Sequence, residues 1–420
     1  LKLYWFKPFG SRLLGRSSQI LPHPALWPTM RAVSFTDVVR QMRAATDDAK
    51  LQADACAIFE AIPPLDVERK RLAGEAGAAG AIVAAMKRHS DSKAIQEVGF
   101  NALCILTFED STNQRRAAES GALDVVIEAL LKPGATKIVL EAALSALKSL
   151  VARNASNTMA AGEASVVEAV MGVMTRRSGC PSVQMRACGA LHCLVRNNVA
   201  NQEAAGKFGA VELVVQAMRE HSRDPHLQDA ACEALQNLVF EHAGNRQRAG
   251  DCGAVAAVIE TMQKHAKHPG VHEHGCGALW NLVADSPENM SQAQFGGAER
   301  LVLESIDRFP GLEGVQENAC GMLAQLRLAQ GATGRDVFTG SGDGADSISP
   351  FHVYKPARKG FCTWAGPAAG ALRRAAGPRR PAAPPRLLAP PAVVVPAAGP
   401  ARTGALPRSA ARLLRRALAR

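Results

Sequence analysis

Histidine and cysteine are the residues of this chain whose spacing is closest to that of a reactive site. His265, His268, His272 and His274 fall within ten residues, and Cys276 follows shortly after them. Imidazole nitrogens and a thiolate are ligands that zinc prefers, so this segment is a candidate metal site. The same side chains also occupy helix starts, loops and packed interiors. Their spacing therefore has to be compared with that of the rest of the chain.

Signatures of catalysis are scarce in this sequence. The patterns GxxxxGK[ST], HExxH and GxSxG do not occur. The glycine-rich segment GSGDGAD at Gly340 has neither a strand before it nor a helix after it, which favours a linker over a phosphate-binding loop. Carboxylate pairs such as Glu109 and Asp110 fall at predicted helix ends, where solvated charge is sufficient explanation. We therefore predict no enzymatic activity, no cofactor and no metal.

A repeat of 44 residues organises the sequence, and we call positions that differ by multiples of 44 a column. Four columns share this register. A glycine column contains Gly77, Gly121, Gly209, Gly253 and Gly297, with Ser165 in the missing place. An asparagine column contains Asn113, Asn157, Asn201, Asn245 and Asn289. A methionine column contains Met42, Met86, Met174, Met218 and Met262, and an alanine column contains Ala102, Ala146, Ala190, Ala234 and Ala278.

The repeat explains most of the cysteines and histidines without a metal or redox site. The cysteine column holds Cys56, Cys188, Cys232, Cys276 and Cys320, but Phe100 and Leu144 take its other two places. A position that accepts cysteine, phenylalanine and leucine is predicted to be an interior packing position. The histidines divide among separate columns, with His265 in a predicted loop and His272 in place of a recurring glutamine. Loop and helix-start positions thus explain them separately.

Each repeat is predicted to contain three helices, as the segment from Asn245 to Val283 illustrates. Asn245 is a candidate N-cap for a short first helix, which ends where Gly253 lets the chain turn. Residues 254–263 carry apolar residues at helical spacing and predict a second helix, and residues 271–283 predict a third.

These repeats resemble the armadillo family. The resemblance lies in the junctions GALDVVIEAL at Gly121, GAVELVVQAM at Gly209 and GAVAAVIETM at Gly253, and in the runs CEALQNLV at Cys232 and CGALWNLV at Cys276. It implies an all-α fold: a right-handed α-solenoid, or alpha-alpha superhelix, of armadillo-like three-helix repeats. The matching segment is about residues 33–330, or about seven units of 44 residues with the first truncated.

The resemblance also implies a non-enzymatic scaffold that binds an extended segment of a partner protein in a concave groove lined by third helices. At 100° per residue, the side chains opposite the buried leucines of these helices are expected to point into the groove. The candidate binding residues are Asn237, Asn281, Trp280, Gln236, Phe240, Glu233, His192 and Arg196. Asn237 and Asn281 match the family's groove asparagine, and Trp280 is the aromatic anchor.

An alternative function is a nuclear-import type of transport adaptor for basic cargo signals. Adaptors of this kind carry a tryptophan four residues before the groove asparagine. Here those positions hold Asn101, Ser145, Gly189, Glu233 and Gly277, so the tryptophan ladder is absent and the scaffold is favoured. In either case the partners are proteins, for which a basic segment is one option, and no small-molecule substrate is expected.

The net charge of +11 is unevenly distributed along the 420 residues. Residues 1–32 carry +5 and residues 347–420 carry +14, neither with any acidic residue, so the residues between them carry −8. The acidic body is expected to prefer basic or neutral partners. Nucleic acid is expected to bind only non-specifically, through the C-terminal tail. No membrane span is expected, and the free cysteine pattern favours the cytoplasm, with the nucleus as the other option.

The sequence outside the repeats has a different composition. Residues 1–32 form a basic segment predicted to be disordered or not genuine. Residues 331–364 read as a Gly/Ser-rich linker, and residues 365–420 as an Ala/Pro/Arg-rich low-complexity tail. Such a tail cannot form a packed core, and we expect disorder there. Its composition also matches an arbitrary frame of GC-rich DNA, and we hypothesise that residues 1–29 and 365–420 include gene-model artefact.

Overall fold

A computed structural model describes residues 34–329 and residue 331 of the chain. The predictions for the basic N-terminal segment 1–32, nearly all of the 331–364 linker and the 365–420 tail fall outside the described residues. All regular structure in the described part is helical, with twenty α-helices and no strand. The helices are α1 (Phe35–Ala44), α2 (Ala49–Glu60), α3 (Val67–Glu75), α4 (Ala78–Arg88), α5 (Lys93–Thr107), α6 (Ser111–Glu119), α7 (Ala122–Leu131), α8 (Lys137–Val151), α9 (Ala155–Glu163), α10 (Val166–Arg176), α11 (Pro181–Val195), α12 (Val199–Lys207), α13 (Ala210–Glu220), α14 (Pro225–Val239), α15 (Ala243–Asp251), α16 (Ala254–Lys264), α17 (Pro269–Val283), α18 (Pro287–Phe295), α19 (Ala298–Arg308) and α20 (Glu313–Ala329).

The helices repeat in threes, which confirms the all-α class and the three-helix repeat. From α3 onward, a nine-residue first helix is followed by a second helix of 10 or 11 residues and a third helix of 15 or 17. Before this series stand α1 and α2, which correspond to a second and a third helix. Because each amphipathic helix leaves an apolar face, the three helices of a repeat bury these faces against one another and against the next repeat.

The described residues divide into two compact units. The first comprises residues 34–129 and 135–164, and the second comprises residues 130–134 and 165–331. In the first unit, the third helices α2, α5 and α8 pack side by side. In the second unit, α11, α14, α17 and α20 do the same. We call these two rows of helices the third-helix surfaces of the first and second unit.

The predicted glycine junctions are present between each first helix and the second helix that follows. Gly253 has φ of +75°, and the other glycines of this column have φ between +72° and +86°. This left-handed conformation is open to glycine without cost because glycine has no Cβ. Ser165 takes the same conformation, with φ of +61°, at the one place where the glycine is missing. The sharp turn is therefore a property of the fold at each repeat.

The prediction that Asn245 caps the first helix is wrong. The N-cap of α15 is His242, whose Nδ1 accepts a hydrogen bond from the backbone N–H of Asn245 at 3.1 Å. The amide of Asn245 is buried and donates to the carbonyl oxygens of Leu238 at 2.8 Å and Gln202 at 3.2 Å. Gln202 belongs to the first helix of the preceding repeat, so the asparagine column joins consecutive repeats.

One column of glutamines joins the third helix to the end of the second helix before it in five repeats, and its members are Gln52, Gln96, Gln184, Gln228 and Gln316. The buried Gln228 amide donates to the carbonyl oxygens of Met218 at 2.9 Å and His221 at 3.2 Å. These are carbonyls at a helix C-terminus, which have no partner within their own helix. His272 takes this place in α17, is fully buried, and has Nδ1 2.7 Å from Ser305 Oγ. Burial, helped by the charge of Arg308, lowers the pKa of His272 to about 4, so this imidazole is neutral at pH 7.

Four of the five cysteines of the column lie in the core, namely Cys56, Cys188, Cys232 and Cys276, which confirms the packing interpretation for them, and Cys320 is half-buried. Cys188, Cys232 and Cys276 have no exposed surface. Burial raises the pKa of the Cys188 thiol to about 12 and also raises that of Cys232. A thiol is the form that a dry interior tolerates, and a protonated thiol is a poor nucleophile and metal ligand.

Candidate functional site

The third-helix surface of the second unit contains a connected set of polar side chains. Asn237 of α14 donates through Nδ2 to the carbonyl oxygen of Glu233 at 2.8 Å and to Nδ1 of His192, on α11, at 2.9 Å. Since Nδ1 of His192 accepts, its Nε2 carries the hydrogen, and this nitrogen lies 3.3 Å from Glu233 Oε1. His192 thus bridges the Asn237 amide and the Glu233 carboxylate, both of which belong to α14.

A second histidine approaches the same carboxylate from the other side. His274 of α17 hydrogen-bonds through Nδ1 to Asp229 Oδ1 at 2.6 Å, and its Nε2 lies 3.9 Å from Glu233 Oε1. Burial alone would lower the pKa of His274. The hydrogen bond to Asp229 and the charges of Glu233, Asp229 and Glu273 outweigh burial and raise the pKa to about 9. His274 is therefore an imidazolium at pH 7, and Glu233 lies between two histidines from flanking helices.

Glycines let the third helices of this unit approach closely. A Cβ added at Gly277 would lie 2.6 Å from Gln236 Nε2, and one added at Gly321 would lie 2.5 Å from the Trp280 ring. Gly270 and Gly314 relate in the same way to Asp229 and Glu273. In every case a side chain from one third helix rests on a glycine 41 residues further along, on the next third helix. The large side chains of this surface therefore pack on the glycine backbone of the next third helix.

Trp280 is half-buried rather than fully exposed as the sequence suggested. Its indole covers Gly321 of α20, so part of the ring faces protein, and only the remainder is available to a partner. Full exposure of an aromatic ring to water is unfavourable, and the contact with Gly321 avoids part of that exposure without a partner protein.

The expectation that Asn281 points outward is wrong. Its side chain is buried, with 8% of the residue exposed, and Nδ2 donates to the carbonyl oxygen of Gln236 at 2.9 Å. Asn237 is half-buried, with both amide hydrogens already engaged by His192 and Glu233. The two family-matching asparagines therefore tie neighbouring third helices together. The amide oxygen Oδ1 is the atom of each that remains for a partner's N–H.

The other predicted residues lie on the same surface at different depths. Gln236 is half-buried above Gly277, and Phe240 is half-buried as the C-cap of α14. Phe240 also offers its carbonyl oxygen to Gln202 Nε2 at 3.0 Å. Arg196, the C-cap of α11, is exposed at the end of its helix. The eight predicted residues thus belong to one unit and one row of helices.

Sequence reasoning missed Asp229, His274 and Glu273 as parts of this surface. For Asp229 and Glu273 the signal was present in the repeat, because their column carries an acid in five of its seven places. These acids are Glu97, Glu141, Asp229, Glu273 and Glu317. The column precedes the predicted groove positions by one helical turn, so it extends the same surface toward the start of each third helix. His274 lies in a different column and had no such signal.

The histidine-rich segment is dispersed in the folded chain. His265 Nε2 contacts the carbonyl oxygen of Ser222 at 2.9 Å, in the equivalent loop of the preceding repeat. His268 is the N-cap of α17, His272 is in the core, and His274 faces Asp229. Within the described residues, no three side chains of His, Cys, Asp or Glu come together as metal ligands.

A family model for the LRRK2 ARM repeat matches residues 78–248 of the chain. This match begins at the first residue of α4 and ends within α15. This segment of the chain consists of armadillo repeats. No curated protein sequence matches it.

Two solved structures are similar to the chain over a longer stretch than the family model matches. An engineered protein from the Northeast Structural Genomics Consortium is similar with a TM-score of 0.63 and 19% identity, over 73% of this chain and 71% of that one. Computationally designed armadillo repeat proteins for modular peptide recognition are similar with a TM-score of 0.51 and 20% identity, over 59% of this chain and 99% of theirs. At these identities the likeness concerns the fold alone.

No helix in the part of the chain that the structure describes has the length and apolarity needed to cross a membrane.

Proposed function

We propose that this armadillo repeat protein is a non-enzymatic interaction scaffold, and that the third-helix surface of its second unit binds an extended segment of a partner protein. The observation that carries the proposal is the ordered row of polar and aromatic side chains across α11, α14, α17 and α20. These side chains are held in place by neighbouring helices, so they lose little conformational freedom when a partner binds.

The chemistry of this surface suits an extended backbone. A strand-like segment presents N–H and C=O groups on alternate sides along its length. The Oδ1 atoms of Asn237 and Asn281 can accept from the N–H groups, while the exposed part of Trp280 can cover apolar side-chain surface. Asparagine contacts with a backbone tolerate different partner sequences, so side-chain contacts must supply the selectivity.

The import-adaptor alternative has no further observation in its favour. Glu233 and Gly277 occupy positions where such adaptors carry tryptophan, and Glu233 is already flanked by two histidines. We therefore retain the general scaffold as the proposed function, in the cytoplasm or the nucleus.

Photo-crosslinking from chosen positions tests the proposal. Peptides that bind the full chain are first selected from a library of unstructured 12-residue segments. A photoreactive amino acid is then placed at Gln236, on the third-helix surface, or at Phe295, which is 92% exposed on the first helix α18. Crosslinks from position 236 and none from position 295 support the proposal. Crosslinks from position 295 alone would refute it.

A further inference from the structure

The interior position that glutamine occupies in most repeats is held by His272 in the repeat of α17. Where the glutamine is present, its amide donates to the backbone carbonyl ten positions earlier, near the end of the second helix. One repeat has Leu140 at this place, and there Arg176 donates to the equivalent carbonyl, that of Leu130, at 2.7 Å. A side-chain donor thus reaches this carbonyl in every described repeat except that of His272.

The exception is the carbonyl oxygen of Met262. Met262 has no exposed surface, and its carbonyl oxygen accepts no hydrogen bond from any described residue. The imidazole of His272 instead contacts Ser305 Oγ of α19 through Nδ1, at 2.7 Å. In the preceding repeat, Gln228 makes both contacts at once, because its Nε2 donates to Met218 and its Oε1 accepts from Thr261. The histidine therefore replaces only one of the two contacts.

The hydrogen bonds of Ser305 identify which nitrogen of His272 carries the proton. Ser305 Oγ donates its single hydrogen to the carbonyl oxygen of Leu301 at 2.8 Å, so it accepts from Nδ1 of His272. In the neutral imidazole, Nε2 is then an acceptor. This nitrogen is fully buried and has no hydrogen-bond partner among the described residues. Buried polar atoms without a partner are uncommon in folded proteins.

A second proton on His272 is disfavoured in the folded chain. It would place a charged N–H in the core, beside an Ala266 carbonyl that already accepts from Arg308 at 2.9 Å. Arg308 and Glu304 of α19 and His268 at the start of α17 are the charged or titratable groups that act on this imidazole. Burial, with the charge of Arg308, lowers the pKa of His272 and outweighs the Ala266 carbonyl and Glu304, which raise it.

His272 also connects the repeat of α17 with the last described repeat, α18 to α20. Besides the contact with Ser305, its ring lies 5.1 Å from the ring of Phe309, the C-cap of α19. Among the described helices, α19 packs most closely with α20, and both adjoin the repeat of α17. A change at His272 therefore acts where α19 meets the preceding repeat.

We propose that His272 is an acid-sensitive contact between the last two described repeats, and that its protonation at low pH lets α19 and α20 separate from α17. This inference goes beyond the proposed function, because it requires no partner protein. It also affects the proposed binding surface. Since α20 carries Gly321 beneath the indole of Trp280, the opening removes one end of the third-helix surface of the second unit.

The direction of the pH effect follows from the proton affinities of the closed and open states. In the closed state the pKa of His272 is about 4, and in the open state water restores the ordinary value of 6.5. As the pH falls below 6.5, the open state binds the proton more tightly, so opening becomes more favourable until both states are protonated near pH 4. Between pH 7 and pH 4.5 these two values increase the opening constant about fiftyfold.

Hydrogen exchange of the full chain, followed by mass spectrometry at pH 7 and pH 4.5, tests the proposal. Rates are divided by those of unstructured peptides at the same pH. Peptides from α19 and α20 should lose protection about fiftyfold at pH 4.5 in the native chain, and less than about fivefold in His272→Gln, which restores the glutamine of the column. His226→Gln, at an exposed position on α14, is the control and should behave like the native chain. Carboxyl groups of α19 and α20 titrate in all three chains, so the difference between chains isolates His272.

A second measurement does not depend on the variants. Nitrogen-15 NMR of the native chain should show His272 neutral, with the hydrogen on Nδ1, in the folded form at pH 5.5. Equal losses of protection in the native chain and His272→Gln would overturn the proposal. Protonation of His272 with a midpoint near 6.5, while α19 and α20 remain protected, would overturn it as well.

Discussion

The indole ring of Trp280 lies directly over the backbone of Gly321. A Cβ at Gly321 would fall 2.5 Å from two ring carbons, which is closer than side chains pack. Trp280, which the sequence predicted to be an exposed anchor for a partner, is therefore also a contact between α17 and α20. This dual position ties the stability of the last repeat to the geometry of the proposed binding surface.

Gly321→Ala is expected to displace the indole and to lower the free energy of unfolding by about 1–3 kcal/mol, because an added methyl group forces the packed ring to move. Gly311→Ala is the control, since a Cβ at Gly311 meets nothing within 4 Å. Urea denaturation compares the two variants, and the tryptophan emission of Gly321→Ala should shift to longer wavelength. Equal stability of both variants would mean that Trp280 does not rest on this glycine.

Asn245→Ala is expected to destabilise the second unit by about 1–3 kcal/mol, because it leaves the buried carbonyls of Leu238 and Gln202 without a donor. Gln247→Ala, on the exposed side of the same helix, removes only a surface contact with Asp251 and should change stability by less than about 0.5 kcal/mol. Chemical denaturation measures both. A larger effect of the Gln247 substitution would contradict the role assigned to the asparagine column.

Cys232→Ser is expected to cost about 1–3 kcal/mol, since it places a hydroxyl among packed helices. In the native protein, Cys188 and Cys232 should resist iodoacetamide at pH 8, because both are buried and burial raises the pKa of each thiol. The half-buried Cys252 is the internal comparison and should react sooner. Mass spectrometry of the peptides reports the order, and rapid modification of Cys232 would argue against its place in the core.

The His274–Asp229 pair predicts a decrease of stability at high pH. The pKa of His274 rises from an ordinary value of 6.5 to about 9 in the folded chain. A raised pKa means that the folded state holds the proton more tightly, so this contribution is complete below about pH 6.5 and disappears as the pH passes 9. It amounts to about 3 kcal/mol at most.

His274→Gln should therefore lower the free energy of unfolding at pH 6 and have a much smaller effect at pH 9.5. Urea denaturation at the two pH values measures the difference from the unsubstituted chain. A penalty of the same size at both pH values would mean that His274 is neutral in the fold.

The sequence predicted the architecture well because the 44-residue register records the same physical demands in every repeat. The turn at Gly253 requires a left-handed residue, and the interior position of Cys232 requires an apolar one. These are local demands, so residue type and spacing are sufficient to reveal them.

Contacts between neighbouring third helices were harder to predict. Helical geometry assigned Asn281 to the outer face, but the adjacent helix lies close enough to bury it against Gln236. That distance depends on glycines such as Gly277, which lies against Gln236, a residue 41 positions earlier in the sequence. The same limitation concealed the pairing of Asp229 with His274, because angular position on one helix says nothing about the helix beside it.

The affinity of a selected peptide for Trp280→Ala, compared with Phe295→Ala, tests the central claim most directly. Both substitutions remove an aromatic side chain, but Trp280 is on the third-helix surface and Phe295 is on a first helix. Fluorescence anisotropy, with folding of each variant checked by circular dichroism, should show about thirtyfold weaker binding for Trp280→Ala and less than twofold change for Phe295→Ala. Equal affinities of the two variants, or a greater loss with Phe295→Ala, would contradict binding at the third-helix surface.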